Sequence, residues 1–155
     1  MESDGRKHPV HLPSVERFNT PIIVFVTVCT KDRKAILANE PMHRLLTDAW
    51  RLKTSWIVGR YMVMPDHIHL FCAPGESPAI PLKPWVKFWK SHAARFCPER
   101  EHAPVWQRDF WNTQLRRGEN YSQKWEYVVH NAVRAGLVER AEDWLYQGEL
   151  NVLCW

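Results

Sequence analysis

A chain of 155 residues with 45% hydrophobic and 25% charged side chains is sized for one domain, and it can bury roughly 68–70% of its unfolded surface, enough for a core without disulfide or metal staples. Lysine and arginine exceed aspartate and glutamate by 21 to 17, giving a net charge of +4 and a pI near 9.0. The longest apolar run, residues 22–29, is far short of the ~20 residues that a membrane-spanning helix needs, and no secretory signal is visible.

Residues 1–19 are polar and irregular and read as an N-terminal arm. The segment after Pro21, IIVFVTVCT, is dense in β-branched and aromatic residues and predicts a central strand. A charged loop, KDRKA, follows. Asn39 as cap and Pro41 near the first turn predict a helix whose apolar stripe is Met42, Leu45, Leu46, Ala49 and Leu52. Residues 56–63 and 67–73 read as two strands joined by the turn Met64-Pro65-Asp66. After a Pro/Gly/Ser-rich stretch a helix starts near Pro84, with Trp85, Phe88, Trp89, His92 and Phe96 on one face, and ends at Pro98. A last strand falls within residues 104–115, and a final helix runs from about Glu119 to Ala135, stopped by Gly136. The order β-α-β-β-α-β-α predicts an α+β fold: a ferredoxin-like split βαβ antiparallel sheet, helices on one face, plus one C-terminal helix. The domain proper would span 20–137, with 138–155 an arm packing on it. Four cysteines without a CxxC pair read as buried, reduced thiols.

Three constellations could carry chemistry. His67-Ile68-His69 in a strand puts two imidazoles on one face about 7 Å apart, able to converge on a divalent metal or simply to sit half-exposed. Tyr127 and Asn131, four apart, share a face of the final helix. Asp66, by alternation opposite His67, reads as turn chemistry. Finally, the net charge concentrates between residues 83 and 134, which hold ten Lys/Arg against five acids. That distribution suits phosphates and stacked bases of single strands, although the periodic spacing of Trp85 and Trp89 favours a core role for those two.

The segment GRYMVMPDHIHLFCAP resembles the MP[ND]HxH signature of HUH single-tyrosine transposases. VWQRDFWNTQLRRGENYSQKWEYVVHNAVRAGLV resembles the second block of the REP-associated tyrosine transposases within that superfamily. Both blocks occur in the right order, and the resemblance spans roughly residues 20–145.

The resemblance implies a metal-dependent single-strand DNA endonuclease and strand transferase acting at hairpins through a covalent 5′-phosphotyrosine. It implies His67, His69 and Asn131 as ligands of Mg²⁺ or Mn²⁺ and Tyr127 as nucleophile, with Tyr121 the competing tyrosine. The implied partner is DNA with single-stranded, hairpin or palindromic ends, and the implied place is the bacterial cytoplasm, on the nucleoid when DNA-bound, with no membrane. A monomer and a homodimer both occur among such proteins and both stay open. Charge alone nominates Lys31, Arg33, Lys34, Lys87, Lys90, Arg108, Arg116, Arg117 and Arg134 for DNA contact. Ala132 stands where the family usually has proline, which puts the bend of that helix in question. The alternative is a catalytically silent protein that binds single-stranded or hairpin nucleic acid on the same fold. A hydrolytic metalloenzyme acting on small molecules is disfavoured, because no acid or third histidine accompanies the pair.

Overall fold

A computed structural model describes residues 22–115 and 121–153. Five strands form one antiparallel sheet in the order β4-β1-β3-β2-β5: β1 (Ile23–Cys29), β2 (Trp56–Val63), β3 (His67–Pro74), β4 (Trp111–Leu115) and β5 (Gln147–Glu149). The first four strands have the expected split βαβ order. Helices α1 (Glu40–Leu52) and α2 (Leu82–Phe96) cover one face, while α3 (Tyr121–Val129) and the short α4 (Asn131–Arg134) lie on the other.

Alternation in the strands explains both layers. Val24, Val26, Val28, Ile68, Leu70 and Cys72 point to α1 and α2 and form the main core with the fully buried Trp50, Trp85 and Trp89. Their neighbours Ile23, Phe71 and Ala73 point the other way and pack with Tyr121, Val128 and Ala132 of the last helices. The α1 start follows the sequence reading: Asn39 Oδ1 accepts from the Met42 amide at 3.0 Å, with Pro41 inside the first turn. Gly136 closes α4 at φ +75°, a conformation that suits glycine.

Four expectations change. The buried stripe of α2 is Leu82, Trp85, Val86, Trp89 and Ala93, while Phe88, His92 and Phe96 form a ring stack at its margin, ending in an exposed Phe96. The last core strand is confined to 111–115, with residues 105–107 held to the end of β1 by an isolated bridge at Trp106. The C-terminal arm adds a fifth strand: β5 pairs with β2, and Leu150 N, Asn151 Nδ2 and Trp144 Nε1 all donate to β2 carbonyls. The final helix breaks at His130. Cys29, Cys72 and Cys97 are free and buried, as expected for thiols in a core, and no helix among the described residues is long and apolar enough to cross a membrane.

Candidate metal and nucleophile site

His67 and His69 open β3 on the face that carries α3 and α4, with ring centroids 4.7 Å apart, closer than the strand repeat because the side chains lean together. Each ring is fixed through Nδ1. Asp66 Oδ1 lies 2.8 Å from His67 Nδ1, and a carboxylate can only accept there, so the proton is on Nδ1 and the Nε2 lone pair is free. Thr27, the cross-strand partner of His69, places Oγ1 3.0 Å from its Nδ1; with the Nδ1–H tautomer, His69 also keeps a free Nε2. Phe25 stacks on His69 at 5.3 Å from the other side.

Electrostatics keep both rings neutral. Burial lowers the His67 pKa, against the pull of Asp66. Burial, then the fields of His67, Lys124, Arg134 and Arg33, push His69 down to about 3. Neutral imidazoles with Nδ1 hydrogen-bonded and the Nε2 lone pair unprotonated are what a divalent ion requires of histidine ligands.

Asp66 is therefore more than a turn residue. It precedes β3, so strand alternation does not govern it, and its carboxylate bridges His67 and the Arg33 guanidinium, which lies 3.0 Å from Oδ2. Burial acts to raise its pKa, but hydrogen bonds from His67 and Arg33 outweigh that and hold it below the usual carboxylate value. Arg33 reaches it from a 3₁₀ turn in which Asp32 and Arg33 both take left-handed backbone, at φ 58° and 54°. Asp66, Thr27 and this use of Arg33 were missed at the sequence level. Only Asp66 had a signal, its position beside the histidine.

Tyr127 and Asn131 lie at the break between α3 and α4, so they do not share one continuous helix as the spacing implied. The break has a visible cause: three carbonyls of the last turn of α3 are taken by side chains. His130 Nδ1 bonds Glu126 O at 2.8 Å, Asn131 Nδ2 donates to Val128 O at 3.0 Å and Arg134 Nη2 donates to Tyr127 O at 2.9 Å. Tyr127 is 65% exposed, and the Arg134 guanidinium stands 4.0 Å from its ring centroid. Arg134 Nη2 also donates to Asn131 Oδ1 at 3.1 Å, leaving that oxygen one further lone pair. Tyr121, the competitor, is buried, and its hydroxyl accepts from Arg60 N at 3.0 Å.

The nominated basic residues divide. Arg33 is paired with Asp66, and Arg134 sits on Tyr127 and Asn131. Lys34 Nζ donates to the carbonyls of His102 and Pro104, and Lys90 Nζ to those of Gln107 and Arg108, so both act as clasps. Lys31, Lys87 and Arg108 are exposed, and Arg116 and Arg117 lie outside the described residues. Glu99, Glu101 and His102 also bring ligating atoms within 4.8 Å of one another, the two carboxylates exposed and the imidazole half-buried, a group that sequence reasoning did not single out.

No family model matches the chain. The chain is 26% identical over 96 residues to a Haemophilus influenzae protein named for the REP-associated tyrosine transposases; the match covers 54% of this chain and spans about half of that relative, 53%. It is 22% identical over 122 residues to the REP-associated tyrosine transposase of Escherichia coli, covering 77% of this chain and 72% of that protein. Among solved structures, a REP-associated tyrosine transposase bound to a REP hairpin superposes with TM-score 0.71 at 18% identity, over 92% of this chain and 81% of the other. A Deinococcus radiodurans protein described as a transposase gives TM-score 0.53 at 18% identity, over 76% and 95%. The likeness to REP-associated tyrosine transposases carried by the two sequence blocks thus recurs in curated relatives and in fold.

Proposed function

We propose that this chain is a metal-dependent single-strand DNA endonuclease and strand transferase that acts at hairpins, with Tyr127 as nucleophile. The observation that carries the reading is the paired His67 and His69, each with Nδ1 in a hydrogen bond, on the sheet face that α3 and α4 cover and within the field of Lys124 and Arg134 from those helices. The catalytic unit is residues 20–137, with 138–155 as an arm.

His67, His69 and the remaining lone pair of Asn131 Oδ1 would hold the ion, and two imidazoles with one amide oxygen accommodate Mn²⁺ more readily than Mg²⁺. Held there, the ion would supply Lewis-acid polarisation of the scissile phosphate. Tyr127 Oη attacks phosphorus in line, a new Tyr–O–P bond forms, the P–O3′ bond breaks, and the 3′ oxygen leaves as a hydroxyl. The 5′-phosphotyrosine retains the bond energy of the phosphodiester, so a second strand's 3′-hydroxyl can reverse the step without ATP. Arg134 orients this nucleophile through its contacts with the ring, the Tyr127 carbonyl and Asn131.

Incubation with hairpin DNA and Mn²⁺ should yield an SDS-stable protein–DNA adduct that disappears in Tyr127→Phe and with EDTA. An adduct that survives Tyr127→Phe sinks the assignment. The alternative, a catalytically silent hairpin-binding protein, has one observation in its favour: Asn131 Oδ1 already accepts from Arg134. It predicts salt-dependent binding with no adduct at any metal concentration.

A further inference from the structure

The last helices cover only part of the sheet face that carries the histidine pair. Ile23 and Phe71 are buried beneath them, whereas Phe25, Thr27, His67 and His69 on the same face stay half-buried. Strand register arranges these side chains in rows, with Thr27 across from His69 and Phe25 across from Phe71. Trp111 and Thr113 of β4 extend the rows, opposite Thr27 and Phe25, and neither is buried. A partly open shelf of rings and hydroxyls thus lies beside the pair.

One cation overhangs this shelf. Lys124, an exposed residue of α3, holds Nζ 5.0 Å from the centroid of Phe25, whose ring stacks on His69 at 5.3 Å. The ammonium is therefore at most about 10 Å from the imidazole, no more than the Debye length at 0.1 M salt. Burial and His67 lower the His69 pKa first, and the field of Lys124 adds to them. Lys124 also precedes Tyr127 by three residues in α3, so the two share a helix face.

The two guanidiniums whose fields also reach His69 are engaged: Arg33 with Asp66, and Arg134 with Tyr127 and Asn131. The Lys124 ammonium rests on a ring face, a contact that contributes only about 0.5–1 kcal/mol at an exposed position. A phosphate oxygen can take over that ammonium at little cost. Charge alone did not single out Lys124 in the sequence; its place above Phe25 does.

We infer that Lys124 is a further catalytic residue of the reaction proposed above: its ammonium donates to a non-bridging oxygen of the scissile phosphate and offsets the charge that gathers there as Tyr127 Oη attacks. It transfers no proton, so the bonds formed and broken are those already given. Cations fixed where negative charge develops are a main source of transition-state stabilisation in phosphoryl transfer. Because Lys124 sits on the helix of the nucleophile, charge and nucleophile reach the phosphate together. The inference rests on the tyrosine-transfer reading.

Two variants test it. Lys124→Met keeps an apolar stem over Phe25 and removes the charge, while Lys124→Arg keeps the charge. On hairpin DNA with Mn²⁺, Lys124→Met should slow adduct formation by about 10- to 100-fold, toward the low end of what a lost transition-state donor costs because the site is open to solvent. Lys124→Arg should recover most of that loss. With a methylphosphonate at the linkage that the parent cleaves, the non-bridging charge is gone, and Lys124→Met should react at the parent's rate. Fluorescence anisotropy of metal-free hairpin binding gives a second readout: Lys124→Met should reduce the slope of log affinity against log salt by about one. The inference is overturned if Lys124→Met, folded by circular dichroism, forms adduct at the parent's rate, if its deficit persists on methylphosphonate DNA, or if its salt slope is unchanged. If the parent forms no adduct while the Lys124→Met slope still falls, the strand-transfer reading and the catalytic role fail together, and only the phosphate contact stands.

Discussion

The bond between Asp66 and His67 gives the sharpest test of how the histidine pair is built. Asp66→Asn keeps an oxygen that can accept from His67 Nδ1 but removes the charge, in a place where His67 is 16% and Asp66 27% exposed. A hydrogen bond to a charged partner contributes about 1.5–3 kcal/mol against about 0.5–1.5 for a neutral one. The loss is then about 1–1.5 kcal/mol, near tenfold in Mn²⁺ affinity. Asp66→Ala removes the orienting acceptor altogether and should approach the upper end of the 10- to 100-fold range known for such outer partners of metal-bound histidine, about 100-fold. The lost pairing with Arg33, which is 39% exposed, costs at most about 1 kcal/mol of stability. Titration calorimetry with Mn²⁺ reads the affinity directly, and chemical denaturation reads stability alongside it. Arg33→Ala serves as the control: it removes a cation beside the site and should weaken Mn²⁺ binding less than Asp66→Asn does. Wild-type Mn²⁺ affinity in Asp66→Asn would refute the claim that this carboxylate fixes the ligand.

Tyr121→Phe should form the DNA adduct as the parent does, while losing about 1 kcal/mol of unfolding free energy with the Arg60 N–Tyr121 Oη bond; loss of the adduct in a folded variant would return Tyr121 to the active site. Gly59→Ala should cost about 1–3 kcal/mol in denaturant titration, because its Cβ would come within 2.6 Å of the Leu153 side chain and 2.8 Å of Tyr121 Oη. The pH dependence of metal-free protein follows from His69, whose pKa in the fold is about 3 against about 6.5 unfolded. Above about pH 6.5 both states are neutral there, and below it the unfolded chain takes up the proton first. Stability should therefore fall progressively from pH 6.5 toward 3, and His69→Gln should flatten that slope; an unchanged slope in the variant contradicts it.

The parts of the fold that were legible in the sequence are those set by local pattern. β-Branched and aromatic density in 23–29, alternation at His67-Ile68-His69, and Asn39 and Gly136 at helix ends act over a few residues and can be read without knowing what lies across the sheet. The short β5 could not be read that way. Gln147-Gly148-Glu149 has no strand propensity of its own, and it pairs with β2 because Trp144, Tyr146 and Leu150 are packed beside it. The same applies to Thr27 on His69, a contact created by strand register alone.

The helix break at His130 shows why the candidate site was only half legible. Counting four residues from Tyr127 to Asn131 assumes one unbroken helix, and Ala132 in place of the family's usual proline leaves the bend of that helix open. Ala132 is fully buried against the sheet, so a residue there is selected for fit to that surface. The turn is opened instead by His130, Asn131 and Arg134, whose side chains take the carbonyls of Glu126, Val128 and Tyr127. A kink from proline deletes a backbone donor; a kink from side-chain capping keeps every backbone donor and gives the carbonyls side-chain donors instead, so it leaves no breaker residue in the sequence. Under the proposed reading this matters for chemistry. The nucleophile ends one helix and the amide ligand starts the next, and a single guanidinium, that of Arg134, holds the two together across the break.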